Sequence, residues 1–420
     1  MAQRKKKPSE HQLQAIATAH HRNEFMRKIK HNLNSCCGED IYSLIPNYIL
    51  DDLYLKRNHS LKVVEAKGHS IPKEVLNEIK AFVSKWTKDE TIEYSLFPLK
   101  TTLDEYFTVG QSIVTLSRTI DKFKFPDIEK VKSVLIKFQN DEEIFRNAFF
   151  QLNNSFIAMA NCVMNIRNRF YWMNMGVALA DNGGMNYLVE IYTGVPTSIN
   201  IKIDEKPRPV TRLGWAYPVT GIVWVTIKPS LLKIKNRLFD SPMDVYIQSH
   251  AFDRLAERID CIYEIMAQYS LYLSLMEPKV CYDNNHELMI EYRIFGTKAG
   301  YFRIDVVGKI VVIRTFLFLT NNGTPESNLL EKNTGLKMLD KKYLAIDKLS
   351  TFMSSDIGRN EQIKKIFSDA GCESLLELYE NVGPICTKHS DQSSLSLMLE
   401  YIGHDNTKDG INKSNLKLRL

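Results

Sequence analysis

At 420 residues the chain exceeds the usual size of one domain and can bury more than one core. Its net charge of +6 is mild, from 55 Lys and Arg against 49 Asp and Glu, so contact with nucleic acid is permitted but not demanded. Seven cysteines in no framework spacing (Cys36, Cys37, Cys162, Cys261, Cys281, Cys372 and Cys386) argue against a secreted disulfide scaffold and for reduced thiols in a cytoplasmic protein.

The start of the chain is basic, with Arg4, Lys5, Lys6 and Lys7 followed by Arg22, Arg27, Lys28 and Lys30. Such an arm can touch phosphates, although a solvated end is the commoner use of such a run. No apolar core follows it, and the longest apolar runs, near Ile222 and Ile310, are strand-length, so no targeting or membrane segment is expected. Residues 9 to about 60 read as short helical patches broken at Cys37-Gly38 and Ile45-Pro46, and Ser70-Ile71-Pro72 opens a clearer helix through Trp86. Between them, Val63-Val64-Glu65-Ala66-Lys67 reads as an apolar strand ending in E-x-K. With Asp51 or Asp52 upstream it resembles the metal-dependent restriction-type nuclease core, in which carboxylates hold a magnesium ion and the lysine steadies the attacking water. The spacing from Val131 to Met175 predicts one or two long helices, with Phe145, Phe149, Phe150, Phe156, Met159 and Phe170 as core candidates and an asparagine set at 153, 154, 161, 165 and 168. Asn182-Gly183-Gly184 ends the helical zone. Strand-like runs follow at Tyr187–Tyr192, Ser198–Ile203 and Ile222–Ile227, expected to extend the same sheet as the strands further on.

The most informative stretch is His250 to Arg258, which reads H-A-x-x-R-x-x-E-R. At helical spacing His250, Arg254, Glu257 and Arg258 share one polar arc, while Phe252, Leu255, Ala256, Ile259 and Ile262 fill the other side. Ser249 is the expected N-cap, which places His250 in the first turn, where the macrodipole favours the neutral imidazole that can act as a base. Paired guanidinium groups suit phosphate. The same charges also serve an exposed helix that pairs its own ions between turns.

Three strand patterns follow. Glu287 to Phe295 alternates, Thr297-Lys298-Ala299-Gly300 has the length of a hairpin loop, and Tyr301 to Val307 repeats the alternation with Phe302, Ile304 and Val306 inward. Gly308-Lys309 makes a tight turn, and Ile310 to Thr320, apolar on both faces apart from Arg314, predicts a central strand. A helix bearing this motif before an antiparallel meander resembles the RelE-like proteins of bacterial toxin systems and mobile elements, within the barnase, EndoU, colicin and RelE class of metal-independent ribonucleases. The resemblance covers Pro242 to Pro325 by motif order, inside a chain far longer than the usual free-standing toxin.

That resemblance implies attack of a ribose 2′-hydroxyl on the adjacent phosphate, with no cofactor and no metal. His250 would then be base or acid, Arg254 with Arg258 or Arg303 would stabilise the phosphorane, and Glu257 would orient a cation or share the proton work. The strand residues Arg293, Lys298, Arg303 and Arg314 would bind nucleic acid. RNA is the implied substrate, with an inhibitor or partner protein beside it. A third reading makes the chain a non-catalytic interaction protein, with oligomer contacts from its helical zone and the His250–Arg258 charges as a salt-bridged surface. The expected fold class is α+β: a helical amino-terminal region (1–180), a helix-on-antiparallel-sheet domain (181–335) and a helical extension (336–420) whose last part, His404 to Leu420, is polar and frayed. Tyr343–Met353 and Glu361–Tyr379 supply the helices of that extension.

Overall fold

The computed structural model describes residues 9–386 apart from 95, 98, 140–141, 235–239, 284 and 354–359. The basic run Arg4–Lys7 and the tail His404–Leu420 lie outside the described residues. The fold is α+β.

Helices dominate the first part of the chain. α1 (Glu10–Ser35) buries Phe25, Met26, Ile29 and Leu33, spaced so that they share one side of the helix, and α2 (Asn47–Leu55) buries Ile49, Leu50, Leu53 and Tyr54. β1 (His59–Glu65) follows, then α3 (Lys73–Asp89), which starts after Pro72 and buries Ile79, Val83 and Thr87 at four-residue intervals. The strands β2 (Thr91–Glu93) and β3 (Lys100–Thr102) pair antiparallel. α4 (Leu103–Glu105), capped by the Thr102 hydroxyl, runs through a π turn at Tyr106–Gly110 into α5 (Gln111–Thr119). α6 (Ile128–Gln139) and α7 (Glu142–Val163) come next.

The helical pattern expected as far as Met175 stops earlier. α7 ends at Val163, and Phe170–Met175 lies in β4 (Phe170–Leu179). A short apolar run such as Phe170-Tyr171-Trp172-Met173 has no period that separates strand from buried helix, so the sequence alone misassigns it. β5 (Met185–Gly194) then pairs in parallel with β1, giving a three-stranded sheet in the order β1-β5-β4. Tyr187–Tyr192 therefore belongs to this small sheet and not to the later, larger one.

The remaining strands are β6 (Ser198–Ile203), β7 (Lys206–Arg212), β8 (Gly214–Tyr217), β9 (Gly221–Trp224), β10 (Thr226–Ile227), β11 (Met243–Ile247), β12 (Val280–Tyr282), β13 (Leu288–Ile294), β14 (Thr297–Val307) and β15 (Ile310–Phe318). All but β8 and β9 build a sheet in the order β12-β13-β14-β15-β11-β7-β6, with β10 beside β11; β8 and β9 pair as a separate two-stranded sheet, so of the run Ile222–Ile227 only Thr226–Ile227 joins the large sheet. The pairs of the large sheet are antiparallel except β11 with β15, which run parallel, with Asp244 opposite Ile310 and Ile247 opposite Ile313. α8 (Ser249–Arg258) and α9 (Glu264–Met276) leave the end of β11 and pack on β15 and β13 respectively. After the sheet come α10 (Pro325–Thr334), α11 (Met338–Tyr343), α12 (Leu349–Phe352), α13 (Glu361–Asp369) and α14 (Glu373–Val382). Tyr343–Met353 is thus helical only at its ends.

The β13–β14 turn sits earlier than its glycine content suggests. Phe295 (φ 48°) and Gly296 (φ 85°) form a two-residue left-handed turn, and Thr297-Lys298-Ala299-Gly300 is already strand. Gly300 is there for packing: a Cβ on it would lie 2.3 Å from the Leu317 carbonyl oxygen and 2.8 Å from the Phe316 ring. A bulge between Arg303 and Ile304 shifts the register, and Val306, expected inward, ends up 38% exposed.

By contacts the described chain falls into two compact units. Residues up to 163, 171–193 and 217–221 form the first; residues 164–170, 194–216 and those from 222 onward form the second. These units do not coincide with the segments 1–180, 181–335 and 336–420, because the chain passes between the units more than once and the helices after residue 335 belong to the same unit as the large sheet.

Candidate functional site

The second unit places the His250 motif on a built cavity. Gln248, whose backbone N–H donates to the Ile313 carbonyl at 3.0 Å, is the N-cap residue, and Ser249 is the first residue of α8. His250 still falls in the first turn, and it is exposed. Ala251, Phe252, Leu255 and Ile259 are buried, as the apolar phase predicts, whereas Ala256 is exposed and Arg258, assigned to the polar arc, is only 9% exposed. The cavity, about 430 Å³, is lined by His250, Arg254 and Arg258 of α8, by Lys341 and Lys342 of α11, and by Asp347 before α12. Thr315 and Leu317 near the end of β15, with Asn321 and Asn322, complete its wall.

Charge is distributed unevenly around it. Arg258 forms a buried ion pair with Asp347, itself 3% exposed, and reaches Glu257 at 3.4 Å. Burial pushes the Arg258 guanidinium below its ordinary value, with the neighbouring Glu257 opposing that shift. Arg254 pairs with Glu257 at 2.6 Å. Burial works against the Glu257 carboxylate, but the Arg254 hydrogen bond and the charge of Arg258 outweigh it and hold the group below its usual range. Two groups are left electrostatically or sterically incomplete. The Asp347 Oδ1 atom is buried and has no hydrogen-bond partner among the described residues. The Lys341 ammonium, 2% exposed, donates to Asn322 Oδ1 at 3.2 Å, Ser327 O at 3.2 Å and Ser327 Oγ at 2.5 Å. Among the described residues it has no carboxylate within ion-pair distance, and burial lowers its proton affinity.

The four strand cations named from the sequence do not line the cavity. Arg303 pairs with Asp283 at 3.0 Å and Glu287 at 2.6 Å. Arg314 pairs with Asp204 at 2.6 Å and Asp305 at 3.3 Å, and Lys298 with Glu326 at 2.6 Å. Arg293 donates to the Glu277 carbonyl at 2.5 Å. The acids of Arg303, Arg314 and Lys298 come from loops, a neighbouring strand and α10, which strand alternation cannot reveal. The structure adds instead Lys341, Lys342 and Asp347. No local pattern marks them, since the partner of Asp347 lies 89 residues away in sequence.

In the first unit the E-x-K residues are dispersed. Glu65 is exposed and accepts from the Ile71 backbone N–H at 3.0 Å, Lys67 is exposed, Asp51 pairs with Arg22, and Asp52 pairs with Lys56 at 2.7 Å. Among the described residues no three His, Cys, Asp or Glu side chains gather as a metal group. The described part of the basic arm is also paired, Arg27 with Glu24 at 2.8 Å, Lys28 with Glu105 at 3.6 Å and Lys30 with Asp40 at 3.3 Å. Comparison with protein-family models, with curated proteins and with solved structures gives no match for the chain.

Proposed function

We propose that the second unit binds the sugar–phosphate backbone of RNA at the α8 cavity and cleaves it through attack of a ribose 2′-hydroxyl. One observation carries the reading: His250, Arg254 and Arg258 line a single concavity together with two further cations, Lys341 and Lys342. Arg254 and Lys342 supply the accessible charge for a phosphate, and exposed His250 is the proton carrier. Arg258, committed to Asp347, positions the wall. Glu257 orients Arg254. On this reading the protein works in the cytoplasm as a toxin-type or defence nuclease, with an inhibitor protein among its partners. Among the described residues no helix is long and apolar enough to cross a membrane.

The test is RNA cleavage in excess chelator by the parent chain and by His250→Ala. The histidine is exposed, so its loss leaves the core intact, while removing acid–base work costs about a hundredfold to ten-thousandfold in rate. A variant that cuts as fast as the parent rejects His250. A second reading, binding without cleavage, draws support from the acid pairing of Arg254 and Arg258, which leaves less free charge for a transition state. It predicts a parent that retains RNA and cuts none.

A further inference from the structure

Among the described residues, the α8 cavity contains a cation with no carboxylate within ion-pair distance and a carboxylate oxygen with no donor. Among the described residues Lys341 has neutral hydrogen-bond acceptors only, and Asp347, whose Oδ2 is held by Arg258, presents Oδ1 unpartnered. Each is costly in a folded protein unless a ligand completes it, and the two deficits are complementary: an anion for the lysine, a hydrogen-bond donor for the carboxylate. We infer that the cavity takes one ribonucleotide unit, with Lys341 and Lys342 balancing its phosphate and Asp347 Oδ1 accepting the hydrogen of its 2′-hydroxyl, so that Asp347 is the residue that tells RNA from DNA. This inference rests on the RNA-binding reading above.

The choice of a hydroxyl follows from what the carboxylate can do. As the ion-pair partner of Arg258 the carboxylate offers lone pairs, so its free oxygen rewards a ligand that brings a donor. Ribose places such a donor next to a backbone phosphate, and deoxyribose replaces it with a C–H that leaves Oδ1 buried and unpaired. A site built around a hydrogen bond rejects the analogue lacking it far better than a site of shape alone. The expected discrimination for one such bond is about tenfold to a hundredfold in affinity.

The experiment is fluorescence-anisotropy binding of the full chain to three oligonucleotides of one sequence: ribose, 2′-deoxy and 2′-fluoro. The fluoro strand keeps an RNA-like sugar pucker without a donor hydrogen. RNA should bind roughly tenfold to a hundredfold more tightly than either of the others. A fluoro strand that binds as tightly as RNA overturns the assignment to the hydroxyl while leaving RNA binding itself intact. The double variant Arg258→Met with Asp347→Leu removes the buried pair together and should bind the three strands alike. If it folds and still prefers RNA to the same extent, Asp347 is not the reader. A parent that binds none of the three overturns the RNA reading together with this one. Lys341→Met should weaken all three strands by a similar factor and keep their order; an unchanged affinity removes Lys341 from the site.

Discussion

Arg258 carries opposite lessons about what a sequence can place and what it cannot. Its position on the arc with His250 and Arg254 is legible from helical spacing alone. Its burial against Asp347 is not, because periodicity assigns a charged residue to the solvent side and the acid that overrides this lies on a distant turn. The pair has a measurable signature. Arg258→Ala leaves a buried carboxylate without its cation, and such losses typically cost about 3–5 kcal/mol. Replacing both partners with apolar residues of similar volume should be close to neutral, since desolvation of two charges offsets much of their attraction. Urea unfolding of the single and double variants checks this, and a single variant as stable as the parent would show that the pair is not buried in solution. The strand cations make the same point in reverse: Arg303 and Arg314 alternate as a nucleic-acid surface would, yet each is occupied by acids the local pattern does not contain.

Among the elements, the meander was the most legible part, because its alternation over β13 to β15 is long and the Gly308-Lys309 turn is unambiguous. The errors fall where one residue type serves two purposes. Gly300 has the sequence context of a loop glycine, but it lies inside β14 beneath the Phe316 ring, while the turn is made by Phe295 and Gly296. Gly300→Ala should therefore destabilise the second unit by about 1–3 kcal/mol or more, since the added methyl meets backbone that has no room to yield. Gly296→Ala tests a different strain, that of a left-handed backbone facing open space. Denaturant midpoints that move for Gly296→Ala and not for Gly300→Ala would show that the glycine at 300 has no packing role. Phe170–Met175 failed for another reason: a run apolar on every position carries no period to read.

At the scale of the whole molecule, the α+β class was readable from the switch of apolar period near Asn182. The composition of the units was not, because segment order along the chain says nothing about which segments return to an earlier neighbour. Residues 164–170 illustrate it: they follow α7 directly, yet the Ile166 N–H donates to Gln268 of α9 at 3.3 Å and Arg167 pairs with Asp253 of α8 at 2.7 Å. Native-state hydrogen exchange should show the Ile166 amide opening with the α9–β13 region of the second unit, at the same free energy and denaturant dependence. Exchange of Ile166 in step with the residues of α7 would assign the segment to the first unit instead.

The parallel pairing of β11 with β15 also governs the order in which the second unit can form. The strand that flanks β11 on that side is the last of the large sheet to be made, after two helices and three strands have intervened. Closing so long a loop has a large entropic cost before any contact returns it, which is the feature of slow-folding topologies. Until Ile310–Phe318 leaves the ribosome, α8 lacks the strand on which it chiefly packs, so the nascent chain exposes part of the apolar face, with Phe252 and Leu255, that later supports the cavity.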